Sequence, residues 1–366
     1  MEFAKEIVLG NRQIGAGHPC FIVAEIGINH NGDMDLARKE IDAAVEAGAD
    51  SVKFQNYRTE DFIADRNLTY TYENNEKKIV ESQYDMFKRC ELNYEMLADL
   101  KAYCDKKGVV FHSTPTGMDG LADLLKLSVA VLKNGSDYLQ HIPLIRAMGE
   151  SGLPTALSTG MATKAEIETA VNTFYSTGNK NLILLHCVSL YPTPPENVNL
   201  KRMISLSRAF HCSVGFSDHT SGNLAAIGAV ILGACWIEKH FTLDRILPGP
   251  DHRFSSDPIE FRELVNAIRV VEKQLGSADI EFTAEENSAR QQFRLSCVAS
   301  RNMPAGWILK KNDIVFRRPG KGIPPGRVCE LYGRQLRRNV NAGDLLCKEN
   351  LESVKNHHAQ EGERVL

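Results

Sequence analysis

Two histidines stand one short interval apart, His219 in Ser217-Asp218-His219 and His240 in Glu238-Lys239-His240. Each follows an apolar run, and their separation of 21 residues equals one strand–helix unit, so adjacent strands would bring the imidazoles together. Two imidazoles with open positions beside them suit a divalent transition ion such as Mn²⁺, with Mg²⁺ or Co²⁺ as alternatives. Asp251, a little further along, adds an outer carboxylate. A lone histidine of this kind is more often a satisfied structural group; a pair so placed favours ligation. His30, His112 and His252 are weaker candidates.

Lys53 and Lys133 also close apolar runs, where an unpaired cation would be costly. Beside the hydroxyls of Thr114, Ser136 and Ser158 they form a cradle for phosphate or carboxylate. A Schiff-base lysine is the rival chemistry, but two lysines next to a histidine pair favour anion binding. A purely structural pairing with Glu25 or Glu238 is the bland alternative. Glu25 itself ends the hydrophobic run Phe21–Ile26, so desolvation should raise its pKa toward values useful for proton transfer. The turn that follows, Asn29–Asp33, ends in a helix N-cap at Asp33.

These residues need a frame that gathers chain positions far apart in sequence. Eight apolar runs alternate with amphipathic segments: Phe21–Ile26, Ser51–Phe54, Val109–His112, Val129–Leu132, Pro154–Leu157, Leu182–His186, Ser213–Phe216 and Cys235–Phe241. That is the count of an α/β (β/α)8 TIM barrel, with reacting groups at the strand ends. The ends offer Gln55, Thr159, His186, Ser189, Tyr191 and Ser217 besides the groups above. A doubly wound open sheet is disfavoured, because no GxGxxG follows the first run. One connection, Asn56 to Tyr94, is long, polar and aromatic-rich, and is expected to cover the active face.

The barrel is expected over 1–276, with a helical linker at 277–290. Over 291–354 a Pro-, Gly- and Arg-rich segment repeats itself, Arg301–Gly306 against Arg338–Gly343, which suggests a small β-rich domain with pseudo-twofold symmetry. A polar tail occupies 355–366.

Composition narrows the function class. The 366 residues carry 43 Lys plus Arg against 46 Asp plus Glu, a net charge of −3. Such a chain has no basic excess for nucleic acid or an anionic membrane. The longest apolar run, Leu224–Ile237, is too short to span a bilayer, and Met1–Ile14 lacks a signal-peptide core. Nine cysteines show no CxxC or zinc-finger spacing and read as reduced thiols, hence a cytoplasmic enzyme.

The strings AEIGINHNGD (24–33), VKFQ (52–55), KNGSD (133–137), LSTGM (157–161), LHCVSLYPTPPENVNL (185–200), GFSDHTSG (215–222), EKHFTL (238–243) and LPGPDH (247–252) resemble the sialic acid synthases. FRRPGKGIPP (316–325) resembles their C-terminal antifreeze-like SAF domain, a β-clip fold. The resemblance implies condensation of phosphoenolpyruvate with an open-chain N-acyl amino sugar, releasing phosphate and a nine-carbon 2-keto acid. By motif, Lys53, Thr114, Lys133, Ser136, Ser158 and Ser217 would bind phosphoenolpyruvate, and His219 and His240 the metal. Gln55, Ser189, Tyr191 and Asp251 would face the sugar. Arg318 would reach the N-acyl group of a sugar in the partner of a domain-swapped homodimer.

N-acetylmannosamine, giving N-acetylneuraminate, is the first expected acceptor. A di-acetamido-trideoxyhexose leading to legionaminate or pseudaminate comes next. Ser189 and Tyr138 depart from the residues common in N-acetylneuraminate synthases. A non-catalytic binding or antifreeze protein is disfavoured by Arg317, Arg318, Arg334, Arg337 and Arg338, too charged for an ice-binding face.

Overall fold

A computed structural model of the chain describes residues 1–10, 12–74 and 77–352; the tail expected at 355–366 lies outside the described residues. The chain forms two compact units, the first Met1–Gly276 and the second beginning at Ser277.

The first unit opens with an antiparallel hairpin, β1 (Glu6–Leu9) and β2 (Arg12–Gly15). Next come β3 (Phe21–Gly27) and β4 (Ser51–Asn56), then a second antiparallel hairpin, β5 (Thr69–Asn74) with β6 (Lys77–Ser82). The remaining strands are β7 (Val110–Pro115), β8 (Leu132–Asn134), β9 (Thr155–Ser158), β10 (Leu182–Cys187), β11 (Ser213–Asp218) and β12 (Trp236–His240). Eight of them form one parallel sheet in the order β7-β4-β3-β12-β11-β10-β9-β8. β7 and β8 lie side by side and bring the ends of that sheet together, giving a nearly closed TIM-type barrel with helices outside. Among the described residues no helix is long and apolar enough to cross a membrane.

The two-residue period of a strand divides each barrel strand between two environments. Ile22, Ala24 and Ile26 of β3 join Val52, Phe54, Leu157, Leu184, Phe216 and Ile237 in the layer packed against the helices. The helix Met34–Glu46, capped at Asp33 as the sequence suggests, presents Ala37, Ile41 and Ala44 to that layer. The alternate residues point into the lumen. Phe21, Val23, Ile183, Leu185 and Trp236 fill one end, and Ile7, Leu9 and Ile14 of the opening hairpin pack among them as a plug. Continuing the same alternation toward the other end gives Glu25, Lys53, Thr114, Lys133, Ser158, Ser217, Glu238 and His240. The pleat alone thus delivers the polar groups to one mouth.

The long connection after β4 carries more structure than its sequence suggests: a short helix Thr59–Phe62, the β5–β6 hairpin and a helix Gln83–Cys90. The hairpin escapes notice because Tyr70, Tyr72 and Ile79, which share one face, are its main apolar signal and are outnumbered by polar residues in two strands of six residues each. The fourth barrel strand also shifts forward, to Leu132–Asn134 instead of Val129–Leu132, because the ladder with β9 extends through Lys133 and Asn134.

In the second unit a helix occupies Ala284–Phe293. It begins at Thr283 because Thr283 and Glu286 form a reciprocal capping box. β13 (Ser296–Ala299) and β14 (Ile314–Arg317) pair antiparallel over a core that includes Cys297, Met303, Leu331, Leu336 and Leu346. The sequence repeat meets itself across a local pseudo-twofold. Met303 bridges Val340; the Asn302 side chain accepts from Ala342 N and that of Asn339 from Ala305 N, each at 2.8 Å.

Candidate active site

The polar mouth of the barrel encloses a cavity of about 390 Å³. Glu25, Lys53, Gln55, Thr114, Lys133, Ser136, Ser158, Ser189, Tyr191, Ser217, His219 and His240, all singled out in the sequence, line it together. Asp251 lines an adjoining chamber of about 270 Å³ that shares Gln55, Tyr191 and His240 with the first. Arg318 belongs to the second unit, where it is exposed and its guanidinium lies 5.3 Å from the Phe293 ring centre.

Four buried charges form the floor. Lys53 Nζ lies 2.9 Å from Glu25 Oε1 and 3.5 Å from Glu238 Oε1, and donates to Thr114 Oγ1 at 2.9 Å. Lys133 Nζ donates to Ser158 Oγ at 2.7 Å and lies 3.6 Å from Glu238 Oε1. Ser217 Oγ donates to that same carboxylate oxygen at 3.3 Å, and Gln55 Nε2 to Glu25 Oε1 at 3.3 Å. Ser136 is set by the turn after β8, its Oγ accepting from Gly160 N at 3.0 Å.

The structure therefore resolves the pairing question both ways at once. The lysines do pair with Glu25 and Glu238, yet they still face the cavity with hydroxyl partners at hand. Glu238, read in the sequence only as a structural partner, bridges both lysines. Its position two residues before His240 on the same strand was the available signal, since alternation sends both side chains into the lumen.

The two carboxyls titrate in opposite directions. Burial pushes Glu25 up to about 7, against the pull of Lys53. Burial also acts on Glu238, but Lys133 and Lys53 outweigh it and bring that carboxyl down to about 2. Similar groups with their pKa values pushed apart divide naturally into a proton carrier and a permanent anion.

At the other side of the cavity the rings of His219 and His240 have centres 5.5 Å apart. His219 Nδ1 sits 2.8 Å from the Val188 carbonyl, which can only accept, so Nδ1 carries a proton; burial alone would lower the pKa of this ring, but Cys187 and that carbonyl outweigh it and raise it. Burial, with His219 alongside, holds His240 well below its ordinary pKa and keeps it neutral. Its Nδ1 is buried without a hydrogen-bond partner, 3.8 Å from Asp251 Oδ2. Tyr191 packs on His219 with ring centres 4.2 Å apart. No group of three or more His, Cys, Asp or Glu among the described residues is arranged to hold a metal by itself. The donor set is thus two imidazoles with a neighbouring carboxylate, which leaves coordination positions for water or substrate.

Some candidates are not brought in. His186 has the outward parity of Leu184; its Nε2 meets the Val198 carbonyl at 2.6 Å and its ring stacks on Phe216. Asp218 and Lys239 likewise point outward and pair with each other at 2.8 Å. His30 accepts from Gly32 N, and His252 is held by Thr242 and Asn31. His112 lies in the lumen, with Nδ1 2.7 Å from Ser51 Oγ.

A model of the NeuB family matches residues 40–280, and one of the SAF domain matches residues 296–352. The chain belongs to the NeuB family. It is 41% identical over 347 residues to an uncharacterized protein of Methanocaldococcus jannaschii, covering 95% of this chain and 99% of the relative. It is 38% identical over 348 residues to the N,N'-diacetyllegionaminic acid synthase of Legionella pneumophila, with 94% and 98% covered. The solved N-acetylneuraminic acid (sialic acid) synthetase of Leptospira borgpetersenii, in complex with citrate, superposes with a TM-score of 0.71 at 37% identity, covering 79% of this chain and 96% of that one. The NeuB-family match and the SAF match fall on the barrel and on the small second unit respectively, so the sequence resemblance and the architecture agree.

Proposed function

We propose that this NeuB-family chain condenses phosphoenolpyruvate with the open-chain form of an N-acyl amino sugar, giving phosphate and a 2-keto sugar acid. One observation carries the reading: a buried two-lysine anion cradle and a pair of adjacent imidazoles line a single cavity. Lys53, Thr114, Lys133, Ser136, Ser158 and Ser217 hold the phosphate and carboxylate of phosphoenolpyruvate. Gln55, Ser189, Tyr191 and Asp251 orient the sugar so that its aldehyde carbon meets the enol carbon.

His219 and His240 would hold a divalent ion, Mn²⁺ by preference, which when bound supplies Lewis-acid polarisation of a carbonyl. After the new carbon–carbon bond forms, water adds at the second carbon of the former phosphoenolpyruvate, and loss of phosphate completes the reaction. Glu25, protonated below about pH 7, moves the proton in this sequence. Glu238 remains an anion that keeps Lys53 and Lys133 charged and aimed.

The resemblance places N-acetylmannosamine first among acceptors and a di-acetamido-trideoxyhexose second; of the relatives named above, one is an N-acetylneuraminic acid synthetase and one an N,N'-diacetyllegionaminic acid synthase. It also assigns Arg318 to the N-acyl group of a sugar in a second copy's barrel, within a domain-swapped homodimer. A guanidinium with no ion-pair partner among the described residues suits that task.

The reaction is tested by phosphate release that requires both phosphoenolpyruvate and an amino sugar. No release across a panel of N-acyl amino sugars rejects it. Borohydride with pyruvate should trap no adduct, since no Schiff base forms. For the ion, His219→Ala and His240→Ala should each abolish metal stoichiometry and activity with the fold retained; full metal content in both would make the histidines structural. For Arg318, mixing Arg318→Ala with Lys53→Ala chains should restore part of the activity if subunits exchange, whereas an arginine acting within its own chain gives none.

A further inference from the structure

A separate cavity of about 570 Å³, larger than the one at the barrel mouth, is lined by the helices Lys164–Ser176 and Lys201–Phe210 and by the strand ends beneath them. That volume is ample for a small organic ligand. Its walls are apolar: Ile167, Leu206 and Phe210 are 7%, 8% and 3% exposed. Two cations, Lys164 and Arg202, line it from exposed positions, and no Asp or Glu does. Neither side chain has an ion-pair or hydrogen-bond partner among the described residues.

The buried polar group of the lining is His186, 2% exposed. Its Nε2 donates to the Val198 carbonyl at 2.6 Å, because a carbonyl can only accept. Burial, with Arg202 nearby, lowers the pKa of this ring and keeps it neutral. Nδ1 therefore keeps a lone pair, and it has no hydrogen-bond partner among the described residues. A buried acceptor of this kind is costly until a donor reaches it. The lining thus specifies its occupant: a flat apolar body, a hydrogen-bond donor at depth and a negative charge toward the surface. An added ammonium would meet two cations and no carboxylate.

This cavity shares a wall with the reaction site. Met161 and Cys187 line both. Between Thr159 and Met161, Gly160 N donates to Ser136 Oγ at 3.0 Å, so the Ser136 O–H stays free to donate to an anion. A Cβ on Gly160 would lie 2.5 Å from Ser189 Oγ and 2.7 Å from Ser136 Oγ, so this peptide is packed directly against both hydroxyls. A ligand seated on Thr159 and Ala162 would hold that peptide in place.

We infer that this cavity is an effector site for a small aromatic carboxylate with a ring N–H. The carboxylate is held by Lys164 and Arg202 and the N–H by His186, and occupancy strengthens binding of phosphoenolpyruvate in the barrel. The coupling rests on the proposed condensation; the site itself does not.

Calorimetry on the full-length chain, with indole-3-acetate as the probe, tests the site. Saturable binding at one site per chain is expected. Naphthalene-1-acetate, which lacks the donor, should bind about tenfold more weakly, and L-tryptophan, which adds an ammonium, more weakly still. Arg202→Ala should weaken the probe about tenfold. Ala209→Trp, at an exposed helical position lining the cavity, should abolish binding by filling it while leaving basal turnover unchanged. Saturating probe should lower KM for phosphoenolpyruvate about fivefold at unchanged kcat, and not in Ala209→Trp. Absence of saturable binding, or binding that survives both substitutions, overturns the site. Binding that leaves that KM unmoved overturns the effector role. Failure of the condensation itself appears as no turnover with or without the probe, and the titrations then still decide the site. Should Ala209→Trp fold poorly, Arg202→Ala carries the same comparison.

Discussion

The two ends of the barrel are built from the same eight strands and could hardly differ more. At one end the lumen holds Phe21, Ile183, Leu185 and Trp236, closed over by Ile7, Leu9 and Ile14. Along the same strands, two or four residues later, the lumen holds Glu25, Cys187, Glu238 and His240. Buried acceptors at the polar end stand without partners, among them Glu25 Oε2, Glu238 Oε2 and His240 Nδ1. Folding gains from the first end, by removing apolar surface from water. The second is stabilised poorly, because desolvating four charges offsets most of what their attraction returns. A costly polar cluster beside a well-packed plug marks the place where the chain's groups await a ligand.

Substitutions at the two ends should separate stability from activity, and the largest effect on activity belongs to the lysines. Lys133→Ala removes a cradle cation and leaves Glu238 short of a counter-charge; kcat/KM for phosphoenolpyruvate should fall on the order of a thousandfold. Steady-state phosphate release measures it, and a loss below tenfold would detach Lys133 from the donor. Glu238→Gln keeps the shape but removes the anion that holds both lysines. A drop of roughly thirtyfold, carried by KM for phosphoenolpyruvate more than by melting temperature, is the expected result.

Acidity gives a third handle. Burial holds Glu25 at about 7, so below that pH the carboxyl is neutral and above it a negative charge sits beside the anionic donor of the proposed reaction. kcat/KM for phosphoenolpyruvate should therefore decline as pH rises through about 7, and Glu25→Gln should flatten that limb. The smallest effect on activity is expected at the plug. Leu9→Ala opens a void in a fully buried cluster and should cost about 2–5 kcal/mol in denaturant unfolding, while kcat/KM measured well below the melting temperature stays within twofold. A mouth variant that unfolds, or a plug variant that loses turnover, would erase the division.

Much of this division is legible in the sequence. The eight runs and their polar ends are one-dimensional signals, and once a strand is granted, alternation dictates that Glu25 and His240 share the lumen while His186 and Lys239 do not. What cannot be read is which lumen groups touch. Glu238 bridges two lysines that lie 80 residues apart in sequence, 133 − 53, and only closure of the sheet makes that contact. The two hairpins were equally hidden. β1 and β2 are four residues each, too short for periodicity to register, and β5–β6 carries only Tyr70, Tyr72 and Ile79 on its less polar face. The repeat in the second unit lay at the opposite extreme, because Asn302 and Asn339 cap each other's copies and the sequence had to keep both.

The opening hairpin has one more consequence, for traffic. A barrel stoppered at one end has a single doorway, and on the proposed condensation the largest molecule in the reaction is its product. Two substrates would then enter in turn through the gap that the sugar acid and phosphate later use to leave. The order of entry would be set by depth, the donor going first to the floor and the sugar lodging above it. Exit runs in reverse, and the sugar acid stands between free phosphate and the outside until it has gone.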